Sequence, residues 1–491
     1  MSARTPAGII TCHTLQEVGA MLVALGFLMI ITFMALIMTK KMTPLLALIL
    51  VPTIFGLFTG AGFGLGEMIM DAIKSMSGTA ALLMFAIMYF GIMIDVGLFD
   101  RLVSGIQKLV GNDPAKVVIG TALLTAIISL DGDGSTTFIV VTAALLPIYQ
   151  RLGMSPVVLT CVAGLTNGTL NIVPWGGPTA RAAAALGVDA ADIFVPMLPS
   201  LGVALIVIAI FAWQLGLSER RRLQKDRPEL WGTGFGGGNL GGGKPQDGTS
   251  PSGSSVAVLE SVARKGDGSE AATMDGTVLD PHRETLRPKM FYFNLALTVA
   301  IMVLLIVDVL PLAYLFMVGT AIALVANFPK VNDQVKMIAA HSSEIIAVVS
   351  MVLGAAVLTG VLSGTGMVDA MSLWLVNIIP DSLGQYMAVI TGLISIPATF
   401  LMSNDAFYFG ILPVLTEAGA HFGVPAVDMA RASITGQPVH MQSPLVPAIL
   451  LLVSLSRVDL GDHHKKVLWR AAVVSLVMLA SGVLFGAIHM G

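Results

Sequence analysis

Four apolar runs, at 20–38, 193–215, 293–307 and 471–488, contain no charged residue. A helix crossing roughly 30 Å of hydrocarbon needs about 20 such residues. Each run approaches or exceeds that length, whereas a helix at a water-exposed surface would need a polar face. Only 12% of the 491 residues are charged and 55% are hydrophobic, against about 25% charged in soluble domains. The chain reads as a multi-pass membrane protein. Its net charge of −3 averages over two compartments and carries little information. Two cysteines, Cys12 and Cys161, suggest neither a disulfide framework nor a zinc site. Cys161 reads as a packing residue, and no cleavable leader is expected.

Membrane helices are expected at about 20–38, 42–62, 77–95, 117–130, 156–170 and 193–215, and again at about 290–310, 311–328, 345–363, 384–401, 424–440 and 467–488. Residues 1–19 read as a poorly structured N-terminal extension. Residues 216–288 open on Glu219-Arg220-Arg221-Arg222 and continue through Gly- and Ser-rich sequence. Such a segment cannot bury a core and is expected to be a disordered linker. Its arginines read as a cytoplasmic anchor rather than a nucleic-acid contact.

The two sides of that linker resemble each other. Gly91, Gly97 and Asp100 recur as Gly360, Gly366 and Asp369, and Ser135 faces Asn404, all 269 residues apart. Gly153, Asn167 and Pro174 face Gly423, Gln437 and Pro444 at an offset of 270. A long internal repeat is a transporter signature. Basic residues give its hand. Lys40 and Lys41 place the first connection inside. The segment 98–116 holds Arg101, Lys108 and Lys116, while its partner 367–385 has no Lys or Arg. Arg151, Arg220–Arg222, Lys330, Lys336, Arg457, Lys465 and Lys466 fall on the same side. Equivalent elements then lie on opposite sides. The expected fold is an all-α polytopic membrane protein with about 11 to 12 transmembrane segments. They form two inverted repeats, 20–215 and 289–491, each with a re-entrant helical hairpin and a broken helix.

The run Leu130-Asp131-Gly132-Asp133-Gly134-Ser135-Thr136 interrupts two apolar stretches too short for full crossings. They fit a re-entrant hairpin with its tip inside the membrane, and an ordinary turn outside is the plainer alternative. Carboxylates at that depth need a partner, a proton or a metal. The repeat partner is Ser403-Asn404-Asp405. A second feature is the broken helix at Asn171-Ile172-Val173-Pro174-Trp175-Gly176-Gly177-Pro178-Thr179-Ala180-Arg181, matched by Gly436-Gln437-Pro438-Val439-His440-Met441-Gln442-Ser443-Pro444. Broken helices at matching positions point to a transport site. Candidate substrate contacts are Ser135, Thr136, Asn171, Gly176, Gly177, Thr179, Arg181, Ser403, Asn404, Gln437, His440, Gln442 and Ser443. Asp131, Asp133 and Asp405 are candidates for metal contact or proton coupling. Arg181 suits a carboxylate but equally a snorkelling position. His440 suits a substrate or proton contact but equally packing. Asp95 and Asp100 are expected to face the interface, and Arg431 has no assigned role.

The strings LDGDGSTTF, NIVPWGGPTARAAAALG, MSNDAFYFGILPVL and GQPVHMQSPLVPA, with the N-terminal GFLMIITFMALIMTKKMTPLLALILVPTIFGL, resemble the citrate–metal–proton symporter family (CitMHS) of the ion-transporter superfamily. The resemblance covers about 20–215 and 290–490. It implies secondary active uptake of citrate complexed with a divalent cation, driven by proton symport, with elevator-type movement and often dimers. No cofactor is then permanently bound: Mg²⁺ or Ca²⁺ belongs to the cargo, and the partners are metal-citrate, protons and the lipid bilayer. A plasma-membrane location follows, with the central linker cytoplasmic and both termini outside. The alternatives are a sodium- or proton-coupled carboxylate carrier without metal requirement, or an antiporter. More distant ones are a channel and an intramembrane aspartyl protease built on Asp-Gly-Asp-Gly, with Asp95 as the nearest second aspartate.

Overall fold

Backbone polar groups find no water in hydrocarbon, so each spanning segment must satisfy them internally, as helices do. The computed structural model describes residues 7–226, 283–307 and 309–490, and among these there is helix but no strand. The first half comprises α1 (Ala7–Met38), α2 (Pro44–Phe58), α3 (Leu65–Asp95), α4 (Leu98–Val110), α5 (Pro114–Ile128) and α6 (Gly134–Leu152). It continues through α7 (Pro156–Leu170), α8 (Gly177–Leu186), α9 (Ala190–Phe194) and α10 (Leu198–Asp226). The second half comprises α11 (Phe291–Val307), α12 (Leu312–Asn327), α13 (Val331–Ala340), α14 (Ser342–Gly364), α15 (Met367–Val376) and α16 (Met387–Leu401). A π-helical turn at Ala406–Ile411 then leads into α17 (Leu412–His421), followed by α18 (Ala426–Ser433), α19 (Pro447–Leu455) and α20 (Leu460–Leu484).

Seven described segments are long and apolar enough to cross a membrane, and shorter apolar helices such as α2, α7, α12 and α16 lie among them. Most expected helices are present with shifted ends. The third begins at Leu65 rather than near 77, and the last at Leu460 rather than 467. Helix α1 starts at Ala7, so it covers most of the expected N-terminal extension. The expected linker divides. Residues 216–226 belong to α10, 227–282 lie outside the described residues, and 283–288 pack on the α3–α4 turn.

The repeat is inverted. A Cβ on Gly364, at the end of α14, would lie 2.6 Å from Met68 Cγ near the start of α3. At the opposite end of the pair, a Cβ on Gly91 of α3 would lie 2.5 Å from the ring of His341, just before α14. Helices α3 and α14 are the same element of their halves, yet they run antiparallel. So do α10 and α20, which touch at Phe211 and Trp469 (5.4 Å between ring centroids), while Met197, just before α10, meets Gly482 near the end of α20. The halves also exchange packing partners: α2 lies on α14 and α12 on α3, while α1 lies on α15 and α11 on α4.

Basic residues collect at one end of the molecule. Arg101 donates to Pro288 O (3.2 Å) and Arg287 to Asn327 O (3.0 Å). Arg151 donates to Asn112 (3.0 Å) and Arg222 to Gly153 O (2.9 Å). Lys465, Lys466 and Arg470 line a surface cleft with Ser155 there. Hairpin α5–α6 enters and leaves at this basic end, because Arg151 at its last turn bonds Asn112 beside its first. The second hairpin, α16 to α17, does so at the other end, where Gly384 abuts Phe422. Together with the 3-10 turn to Asp131, this first arm has 18 residues and is one of the seven segments above. Helix α5 itself is about 22 Å long, and the chain turns back at the polar tip into α6 instead of continuing across a ~30 Å core.

Candidate substrate site

The first hairpin tip is a short polar loop between two helices. Gly132 takes φ +83, a left-handed value, and its Cα lies so close to Trp175 that a Cβ would sit 2.9 Å from the indole. Trp175 Nε1 in turn donates to Leu130 O at 2.8 Å. The tip is thereby fastened to the first helix break. Asp133 is the N-cap of α6, accepting from Thr136 N at 2.8 Å. Asp131 Oδ1 accepts from Asp133 N at 2.9 Å, but its buried Oδ2 has no donor among the described residues. Asn167 of α7 donates to Ser129 Oγ at 2.9 Å, and its Oδ1 is likewise without a donor. Two buried acceptor oxygens at one tip want a proton or a cation, since leaving them bare costs desolvation energy without return.

At the first break, Pro174 and the glycines end α7 and restart the helix at Gly177. Gly176 is required by proximity: a Cβ there would collide with Asn171 O. Thr179 Oγ1 donates to Ile172 O at 2.6 Å and holds the break closed. The first turn of α8 presents backbone N–H groups without helical partners, a setting that favours an anion. Arg181 lies one turn further on, over Gly177.

The second hairpin and second break are built by different chemistry. Ser403 Oγ accepts from Ala406 N (3.2 Å) at the start of the π-helical turn. Asn404 and Gln437 bond each other through Gln437 Nε2 to Asn404 Oδ1 (3.2 Å), and Gln437 also donates to Tyr408 OH (3.0 Å). His440 Nδ1 meets Thr399 O at 2.5 Å, and Ser443 Oγ donates to Phe400 O at 2.6 Å. Gln442 donates to Gly164 O and Pro438 O, and its Oε1 meets His463 Nε2 at 3.1 Å. Thr179, Gln442 and Ser443 are therefore fully buried with their hydrogen bonds inside the protein.

The halves meet at these breaks. A Cβ on Gly168 of α7 would lie 2.7 Å from Met441 Cβ and 3.1 Å from Gln437 O. Arg181 Nε reaches across to Asp405 Oδ1 at 2.5 Å, with side-chain exposures of 26% and 12%. Asp405 is committed to that pair, whereas the Nη edge of Arg181 makes no hydrogen bond among the described residues. His440 is close enough to feel both charges. The candidates that stay open are Asp133, Ser135, Asn171, Gly177, Arg181, Ser403 and Asn404. Asp131, Thr136, Gly176, Asp405, Gln437 and His440 lie buried behind them.

Several residues that hold the site escaped the sequence reading. Ser129 and Trp175 anchor the first tip, and Tyr408 stands four residues beyond Asn404 on the same face. Arg431 ties α18 to Asp192 O and Ala487 O and pairs with Asp428 at 2.9 Å. Asp95 is hydrogen-bonded by His341 at 3.0 Å, and Asp100 by Arg283 at 2.9 Å. Cys161 is buried as expected.

A family model described as "Citrate transporter" (CitMHS) matches residues 9–436. The chain belongs to this family. A "Citrate transporter" of Bacillus subtilis (strain 168) is 44% identical over 468 residues, covering 95% of this chain and all of that one. A "Mg(2+)/citrate complex secondary transporter" of the same organism is 43% identical over 469 residues, covering 95% and 99%. An uncharacterized transporter, YraO, also from that organism, is 41% identical over 472 residues, covering 95% and 99%. Among solved structures, the YdaH transporter of Alcanivorax borkumensis is similar at 14% identity, covering 87% of this chain and 90% of that one with a TM-score of 0.46. Family membership and the apolar helices make this chain a multi-pass membrane protein.

Proposed function

We propose that the chain takes up citrate as a divalent-metal complex by proton symport. The observation that carries this is the Arg181–Asp405 pair, which joins the halves and leaves the Arg181 Nη edge open beside the α8 N-terminus. A guanidinium edge, backbone N–H groups and the open Ser135, Asn171, Ser403 and Asn404 suit the carboxylates and hydroxyl of citrate. Complexation with Mg²⁺ or Ca²⁺ removes two charges from the trianion and so lowers the cost of bringing it to membrane depth. The relative named a Mg(2+)/citrate complex transporter supports the metal. Asp131, with its orphaned oxygen, and Asp133 take the coupled proton in this reading.

The hairpins and broken helices move as one body against α2, α3, α12 and α14, an elevator-type exchange of access, and the transporter works as a homodimer. The basic end, with the central linker, faces the cytoplasm, and both termini lie outside. Uptake of radiolabelled citrate into proteoliposomes, with and without Mg²⁺ or Ca²⁺ and under a proton or a sodium gradient, tests the reading. Dependence on the divalent ion and the proton gradient is expected. Uptake that ignores the divalent ion and follows sodium overturns it in favour of a metal-independent carboxylate carrier.

A further inference from the structure

A second string of ionisable side chains reaches from the basic end toward the first hairpin tip. His341, the residue before α14, is buried, and its Nε2 meets Asp95 Oδ2 at the end of α3 at 3.0 Å. The fit is tight: a Cβ on Gly91 would lie 2.5 to 2.9 Å from three atoms of the imidazole ring. Glu344 lies three residues on, so the two side chains share one face at the start of α14. It is half-buried and within Coulombic reach of His341, Asp95, Asp133 and Asp131. A carboxylate and an imidazole thus stand together at the mouth of a spanning helix. Ionisable groups in such a place mark a path for ions or protons.

We infer that Glu344, His341 and Asp95 form the proton route between the first hairpin tip and the basic end of the molecule. The inference rests on the proton-symport reading above. Asp133 and Glu344 influence each other electrostatically but share no hydrogen bond, one on the hairpin and the other on α14, which packs with α2 and α3. Transfer across that gap therefore requires a bridging water or displacement of the tip, which ties the proton to the conformational change. The protonated carboxyl of Asp133 or Asp131 gives its proton to the Glu344 carboxylate, which passes it to His341 Nδ1. His341 then releases its Nε2 proton to Asp95 Oδ2, so one proton moves and no charge accumulates on the ring. The charged neighbours are Asp131 and Asp133 from the hairpin and Asp95 from α3. Arg283 binds the Asp95 carbonyl at 2.9 Å rather than its carboxylate.

The test is reconstitution of the full chain with Glu344→Gln, Glu344→Asp or His341→Gln, read by two assays. Counterflow of Mg²⁺-citrate between equal pH compartments needs no net proton movement, whereas accumulation driven by a pH gradient does. Glu344→Gln and His341→Gln should keep counterflow within about twofold of wild type while losing gradient-driven accumulation by at least about tenfold. Glu344→Asp should retain accumulation. Wild-type accumulation in Glu344→Gln and His341→Gln overturns the route. A parallel fall of counterflow also overturns it, in favour of a structural role. Wild-type protein that moves citrate without citrate-dependent proton entry, seen with a pH-sensitive dye, sinks the symport reading itself and is visible before any variant is examined.

Discussion

Arg181 and Asp405 stand 224 residues apart in opposite halves of the repeat, and their side chains meet at 2.5 Å between the first broken helix and the second hairpin tip. By the repeat offsets, the positions that mirror them are Leu451 and Thr136, which form no ion pair. The twofold relation between the halves is therefore broken at this contact. An anion bound at the centre of such a repeat meets positive charge on one side only.

Removing one partner should be far worse than removing both. Arg181→Ala leaves a buried carboxylate unpaired and is expected to destabilise the protein by about 3 kcal/mol. Arg181→Met combined with Asp405→Leu should recover most of the thermal stability but no citrate uptake. Thermal unfolding in detergent and uptake in proteoliposomes read the two effects separately. Equal stability of the single and double variants would contradict the pairing.

The first hairpin tip should tolerate loss of charge better than loss of shape. Asp133→Asn keeps a cap acceptor for Thr136 N and should leave folding unchanged while impairing uptake. Asp131→Asn supplies a hydrogen to the orphaned oxygen position, so stability should hold or rise while proton-driven accumulation falls. Melting temperature and uptake, measured together, check both variants.

At the second tip, Ser403→Ala removes the acceptor for Ala406 N. A lost cap costs about 1 kcal/mol. The folded protein should survive in normal yield, with uptake reduced. Wild-type transport by both Ser403→Ala and Asp133→Asn would place the site elsewhere.

Gly168 tests how closely the halves must approach. A Cβ there would press on Met441 and on the backbone at Gln437 and Pro438. Gly168→Val should therefore destabilise by roughly 1–3 kcal/mol or more through overpacking. A substitution to Val at Gly202, where nothing lies within 4 Å, should be nearly silent in the same unfolding assay.

The segment after the linker should behave as a clamp. Arg283 is buried and donates to Ile94 O (3.0 Å), Asp95 O (2.9 Å) and Asp100 Oδ2 (2.9 Å) across the turn at Gly97, whose φ is +84. The mirrored turn at Gly366 has nothing within 4 Å of the place a Cβ would take. Arg283→Ala removes these three hydrogen bonds, of which Ile94 O keeps Gly97 N and Asp95 O keeps Thr285 Oγ1 while Asp100 loses its charged partner, and should cost about 1–3 kcal/mol. A drop in melting temperature with unchanged citrate affinity is the expected outcome.

Hydropathy, the 269-residue offset and the one-sided lysines and arginines were enough to read an inverted all-helical repeat, its two hairpins and its two broken helices. These are local or periodic properties: apolar length, Pro and Gly breaks, and charge that cannot enter lipid, each act on a segment wherever its neighbours lie. Only the tertiary structure decided which polar groups face one another. Arg181 found Asp405 and His341 found Asp95 because the packing of one half on the other brings residues hundreds of positions apart to one depth. Gln437 found Asn404 and Tyr408, 33 and 29 positions away, because the second break folds back on the second hairpin. It also decided which candidates stay open. Thr179, Gln442 and Ser443 look like Asn171 and Ser403 in sequence, but a buried polar group must bond within the protein, and theirs hold the breaks in shape.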